Sequence, residues 1–176
     1  MKRSLIVINK IFLIYFIIYS INLQAQTCYS NIEPTAPDQR FQIEEPTPNE
    51  AVVIDTETSL MWKRCSEGLE GRNCDQGIRS KLTWEAALLS TISQGFAGYS
   101  DWRVPDIKEL TSLLEMSCRV PVINGNIFPV FGGGYYWTSS TNIDQLDQAW
   151  VIYFNWGYIT TGSKDGTNEL LLVRNN

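Results

Sequence analysis

The stretch FAGYSDWRVPDIKEL, residues 96–110, constrains this chain more than any other part of it, because it sets a turn, a large aromatic and a helix start close together. Gly98 gives the backbone freedom a tight turn requires, Trp102 brings a surface that favours burial, and Pro105 fixes φ ahead of a helical pattern. Asp106 stands three residues before Glu109, the spacing of a capping box, and Ile107, Leu110, Leu113 and Leu114 follow at helical intervals. These features predict a helix over 106–116 with one buried face. Nothing in the tract activates a nucleophile, so it dictates architecture and no reaction.

The first ten residues carry Lys2, Arg3 and Lys10, and 11–21 are apolar but for Ser20. That is the layout of a secretory signal peptide, with small Ala25 as the cleavage position, so 1–25 is read as the leader. The apolar run is shorter than the ~20 residues that span a bilayer. Leu23 is large for the position two before the cut, which leaves retention as an uncleaved anchor as the alternative. The residues before Cys28 do not make the small-residue approach of a lipoprotein signal. Removing 1–25 takes away three basic residues and no acid, leaving 11 Lys and Arg against 19 Asp and Glu, a net charge of 11 − 19 = −8. Such a chain repels nucleic acid and anionic lipid, so neither nucleic acid nor, after cleavage, a membrane is an expected partner.

All four cysteines, Cys28, Cys65, Cys74 and Cys118, lie beyond the cut. An even count in an exported chain reads as two disulfides. Arithmetic allows three pairings. The short Gly-containing segment 66–73 closes easily as a loop, which favours Cys65 with Cys74 and leaves Cys28 with Cys118 to tie the N-terminal segment to the end of the 106–116 helix. Zinc is set aside, since the spacings match no common module and the chain has no histidine.

Four prolines, Pro34, Pro37, Pro46 and Pro48, predict an extended arm with little regular structure over 26–50, followed by one domain over 51–176. A hairpin is expected from 51–55 and 60–63, a helix over 84–93 capped by Thr83 with Trp84, Ala87, Leu88 and Ile92 on one side, then strands at 135–139, 150–154, 158–161 and 169–174. Long loops are expected at 121–134 and 141–148. Strands, two helices and then a meander make an α+β fold, loop-rich and disulfide-stapled, with a twisted antiparallel sheet.

The ordered set LMWKRCSEG, FAGYSDWRVPDIKEL, YYWTSS and AWVIYFNWGY resembles the Lcl C-terminal domain family, named for the terminal domain of a bacterial collagen-like adhesin. The likeness runs over about 27–174. It implies a C-type-lectin-like fold of the formylglycine-generating-enzyme type and bacterial export; in the best-known relative the domain helps bind sulfated polysaccharide. Family members usually have Gly where this chain has Ser59, a Gly- and Asp-rich turn where it has 46–50, and an Arg where it has Leu171. The first two differences imply a remodelled N-terminal hairpin, and the third removes a positive charge. A net charge of −8 opposes carrying polyanion binding over to this chain.

Catalysis has little to work with. Without histidine the commonest general base near neutral pH is missing. A formylglycine-type reaction needs reactive thiols, and these cysteines are better used as bridges. The carboxylate pairs Asp144 with Asp147 and Asp101 with Asp106 are what any acidic chain offers. No catalytic residue, resident metal or cofactor is assigned; calcium is the one cation that Asn142, Asp144 and Asp147, gathered in a single loop, would suit. The Glu-Pro-Asn and Trp-Asn-Asp signatures of calcium-dependent sugar-binding lectins are absent.

Tyr135, Tyr136, Trp137, Trp150, Tyr153, Phe154, Trp156 and Tyr158 crowd the C-terminal third, and aromatics stack on sugar faces. Trp62, Trp102, Trp137, Trp150 and Phe154 are expected in the core, with Pro105 and Arg103 shaping the helix start and Arg103 pairing with a carboxylate or carbonyl. Trp156, in an Asn-Trp-Gly turn, is expected in solvent. The functional expectation is an exported, non-enzymatic binding or adhesion module located in the periplasm, at the cell surface or outside the cell. It contacts a polysaccharide or a surface protein through Trp156, Tyr158, Asn142, Asp144 and Asp147 on one loop-rich face, with self-association as a further partner. The rival readings are a structural or assembly domain and an enzyme acting on a cell-envelope polymer.

Overall fold

The computed structural model describes residues 26–92, 95–129 and 133–176. The leader expected at 1–25 lies outside the described residues. In chain order the elements are β1 (Thr27–Cys28), β2 (Phe41–Thr47), β3 (Glu50–Asp55), β4 (Leu60–Lys63), β5 (Leu69–Glu70), β6 (Gln76–Gly77), α1 (Trp84–Ser90), α2 (Ile107–Thr111), β7 (Cys118–Arg119), β8 (Tyr135–Thr141), β9 (Gln148–Tyr153), β10 (Tyr158–Ser163) and β11 (Val173–Asn175). All pairing within the named strands is antiparallel: a four-stranded sheet in the order β11-β4-β3-β2, a three-stranded sheet β10-β9-β8, and two-stranded pairs β1-β7 and β5-β6. The class is α+β, mostly strand.

Alternation along the strands feeds two apolar clusters. Val53, Leu60, Trp62 and Val173 point into the first with α2's Leu110, then Leu113, Tyr136, Ile152 and Phe154. Val52, Met61 and Leu172 point the other way, into the second, with α1's Ala87, Trp102, Trp137, Ala149 and Val151. Both faces of β3 and β4 are therefore covered, one by each cluster. Leu171 is fully buried in the first cluster.

Both expected disulfides are present, Cys28–Cys118 and Cys65–Cys74. They suit an oxidising periplasmic or extracellular environment. No helix among the described residues is long and apolar enough to cross a membrane.

Four expectations need correction. The 26–50 segment is not without regular structure, because Phe41–Thr47 is the edge strand β2; Pro46 falls within the register shift between Glu44 and Thr47, where no ladder donor is required of it. The second helix is shorter than 106–116: it ends at Thr111, and the Glu115 carboxylate then receives the N–H groups of Thr35, Ala36 and Ser117, bonds a continuing helix would not present. The Cys28–Cys118 bridge thus joins β1 to its partner β7, beyond the end of α2. Ile92, expected on α1's buried side, is exposed, because α1 ends at Ser90. The last strand covers only Val173–Asn175, although Glu169 forms an isolated bridge with Tyr136.

Ser59 closes the β3-β4 turn with φ of 57°, in the left-handed region that favours glycine. Its N–H donates to the Asp55 carbonyl at 2.9 Å. Ser59→Gly is expected to stabilise the fold by about 0.5–1 kcal/mol, relief of left-handed strain being partly offset by glycine's entropy in the unfolded chain. A rise of a few degrees in melting temperature checks it; a fall would mean that the serine hydroxyl holds the turn more strongly than its backbone strains it.

Candidate functional site

The 96–110 tract is committed to structure. Phe96 and Tyr99 exchange backbone hydrogen bonds around Ala97 and Gly98, both with positive φ, which is a two-residue hairpin turn. The Pro105 carbonyl accepts from the Ser139 N–H at 2.8 Å. Asp106 and Glu109 form the complete capping box. Arg103 grips Glu109 with two bonds of 2.7 Å; that pairing, together with the Asp106 N–H, holds the Glu109 carboxyl below its ordinary value against its burial. Asp101 binds Arg174 at 2.8 Å and 3.3 Å. Asp101 and Asp106 are thus each engaged in a structural bond.

The expected binding residues separate into two groups. The 142–147 loop precedes β9, while Trp156 and Tyr158 lie at the turn that follows it. The six residues of β9, at about 3.3 Å each, keep the groups roughly 20 Å apart. Asn142, Asp144 and Asp147 therefore do not share a face with Trp156 and Tyr158, which corrects the single loop-rich face. The Asn142 side-chain oxygen accepts the Asp144 N–H at 3.1 Å, and the Asp147 carbonyl accepts the Lys164 N–H at 2.8 Å. Among the described residues no three His, Cys, Asp or Glu side chains gather to hold a metal ion.

The turn end of the three-stranded sheet is built from aromatics. The β9-β10 hairpin sets Tyr153 opposite Tyr158, and the β8-β9 register sets Tyr135 opposite Tyr153. The three rings form a cross-strand ladder with centroids 4.9 Å and 6.4 Å apart. Tyr158 is 60% exposed and Trp156 53% exposed. Trp62, Trp102 and Trp137 are buried as expected, whereas Trp150 is only partly buried, which corrects its assignment to the core. Its strand partner Thr161 lies on β10, which among the described residues has no strand neighbour on its far side to complete the cover.

Beside this ladder lies a depression of about 300 Å³ lined by Tyr135, Val151, Thr160, Thr161, Gly162 and Asn168. Every lining side chain is uncharged. Gly162 keeps its floor open, for a Cβ there would sit 3.4 Å from the Asn168 amide and 3.5 Å from the Trp137 ring. An aromatic wall, hydroxyls and an amide around an apolar floor are groups that can stack on and hydrogen-bond a ring carrying hydroxyls. The tyrosines are visible in the sequence as aromatics at strand ends. Thr160, Gly162 and Asn168 carry no such signal, because only the hairpin register brings them beside Tyr135.

Two other clefts differ in carrying charged side chains in their linings. The one near Gln26 and Asn124 has Glu115 holding three backbone N–H groups, and the Gln26 amide bound to the Pro121 and Ile123 carbonyls. The one at Trp84 is lined by Glu85, Asp165 and Lys164, whose ammonium sits 4.1 Å from the Trp84 ring centroid. A polar network not foreseen from the sequence lies beside the first cluster: the Tyr136 hydroxyl lies 2.7 Å from Ser66 Oγ, and Arg79 pairs with buried Glu169. Burial, with Glu169 adding to it, pushes the Tyr136 hydroxyl far above its ordinary value, so it stays a neutral hydrogen-bonding group.

No curated protein matches the chain. The Lcl C-terminal domain model matches residues 51–174, which takes in β3 through most of β11, both clusters' central strands, the Cys65–Cys74 bridge and the aromatic end of the sheet. With its ordered motifs and that match over most of its length, the chain belongs to the Lcl C-terminal domain family.

Proposed function

We propose that this protein is an exported, non-enzymatic binding or adhesion module that takes an uncharged glycan on the three-stranded sheet, in the depression beside Tyr135 and along the ladder toward Trp156. The observation that carries the reading is the depression's lining, aromatic, hydroxyl and amide with no charge, in a chain whose acidic balance repels polyanions. Export rests on the leader pattern at 1–25 and agrees with the two disulfides. The non-enzymatic reading draws support from the absence of histidine and from the structural bonds of Asp101 and Asp106.

A glycan array probed with the disulfide-bonded chain, with and without calcium, tests the proposal. Binding to neutral glycans, unchanged by calcium, is expected. Trp156→Ala should leave stability within about 1 kcal/mol and weaken that binding by about 1–3 kcal/mol. A severely destabilised variant would place Trp156 in the core, and an array without neutral glycan signal would overturn the ligand class.

One observation favours a protein ligand instead. Ile143 and Leu146 are 86% and 72% exposed at the far loop, an apolar pair that suits docking to a surface protein or an assembly partner. Under that reading Ile143→Ser abolishes adhesion while glycan signals stay flat.

A further inference from the structure

We propose that β10 pairs antiparallel with β10 of a second copy of this chain, joining two three-stranded sheets across a two-fold axis. The inference starts from how the sheet edges are finished. At β2, Glu44, Glu45 and Pro46 stand exposed along the edge, charge and proline being standard guards against strand pairing. At β11, Val173 exchanges backbone bonds with Arg103. Along β8, Glu169 bonds the backbones of Tyr135 and Trp137, and Pro105 that of Ser139. The β10 edge, Tyr-Ile-Thr-Thr-Gly-Ser, has no charge, no proline and no covering segment among the described residues.

The outward groups follow from the ladder's alternation. The Lys164 N–H donates to the Asp147 carbonyl, while the Trp150 carbonyl turns toward β8, where it accepts from Thr138. Residues 158, 160 and 162 therefore address β9, and Ile159, Thr161 and Ser163 turn their backbone groups outward. The Ser163 carbonyl is taken by the Gly166 N–H, which leaves Ile159 and Thr161 as the open pair.

Two open residues separated by one are self-complementary. With the two-fold axis at Thr160, Ile159 of each copy exchanges N–H and C=O bonds with Thr161 of the other, and the two Thr160 side chains face each other. Tyr158 of one copy then stands opposite Gly162 of the other, a large ring over a residue without a side chain, at the rim of the depression that Gly162 lines. Ile159, 46% exposed in the single chain, is covered by the same pairing. The strip is neutral in a strongly acidic molecule, so two copies meet here with little direct repulsion. A strand pair of this length falls short of the roughly 1,200–2,000 Å² of a standard interface, so the dimer is concentration-dependent.

The inference does not depend on the glycan reading, and its test uses no glycan. Sedimentation velocity of the disulfide-bonded chain from micromolar to millimolar protein should move from monomer to dimer, and Ile159→Lys should hold it at monomer with an unchanged melting temperature. Because all four native cysteines are paired, Thr160→Cys supplies a single free thiol at the axis. Under mild oxidation it should run mostly as a covalent dimer, while Glu44→Cys on the guarded edge should not. Should Ile159→Lys fail to fold, the cross-linking comparison decides alone. A monomer throughout the concentration range, a dimer that Ile159→Lys leaves intact, or equal cross-linking by the two cysteine variants would overturn the pairing.

Discussion

Arg40→Leu is expected to lower stability by about 3–5 kcal/mol, the cost of leaving one member of a buried ion pair without the other. Asp55 is fully buried and Arg40 nearly so. The guanidinium holds the carboxylate through Nε at 2.8 Å and Nη2 at 2.5 Å, and its remaining nitrogen donates to the Ser112 carbonyl at 3.0 Å. The pair thus fastens the start of β2 to the end of β3 and to the C-terminus of α2. Burial alone would push the Asp55 carboxyl up, but the bond from Arg40 and those from Thr58 and the Glu57 N–H outweigh it, so Asp55 titrates below its ordinary value. A depressed carboxyl contributes stability that is present above its unfolded value of about 3.9 and is lost as pH falls through the folded one. Glu109 and Glu115 are depressed likewise and add to the same acid limb. In the variant, burial of Asp55 is no longer opposed by Arg40, so protonation relieves it. The gap between wild type and variant should therefore be widest near neutral pH and narrow below pH ~4. Urea midpoints at neutral and acidic pH measure this, and a gap that does not change with pH would contradict the assigned role of the pair.

What the sequence discloses about this molecule follows the range of each interaction. The α2 start is legible because both partners of its cap, Asp106 and Glu109, lie within one turn. Its end is not, since Glu115 is claimed by Thr35 and Ala36, some eighty positions earlier. The β3-β4 hairpin and the β8-β9-β10 meander are local and were readable from alternation and turns, whereas β2 was hidden by a proline that a ladder tolerates only at an edge or irregularity. Trp150 reads as core because its strand is central, but among the described residues no strand lies beyond Thr161 to bury it. The candidate site shows the same division. Trp156 and Tyr158 were visible from turn chemistry, while the separation of the 142–147 loop from them, and the company of Thr160 and Asn168 with Tyr135, come from strand direction and register.

Trp102→Ala is expected to cost about 3–5 kcal/mol through the cavity it leaves and the contacts it removes. Trp102 is buried in the second cluster with Met61, Val104 and Leu172, and its ring meets those of Phe96 and Tyr99 at centroid distances of 5.8 Å and 6.5 Å in T-shaped arrangements. Its Nε1–H donates to the Phe96 carbonyl at 3.0 Å, which ties the 96–99 turn down onto the strand layer. Phenylalanine at this position fills part of the space but lacks the donor, so Trp102→Phe should fall between wild type and alanine, the difference reporting the indole bond and the remaining volume. Trp102 shares its cluster with Val151 of the depression but does not itself line that depression, so both variants, below their melting temperatures, should retain glycan affinity. Thermal melting with a parallel binding assay separates the alternatives. An alanine variant with an unchanged melting temperature and lost binding would move Trp102 out of the core and make the 96–110 tract a recognition element; a low melting temperature with affinity retained places its contribution wholly in the packing that holds the sheet in shape.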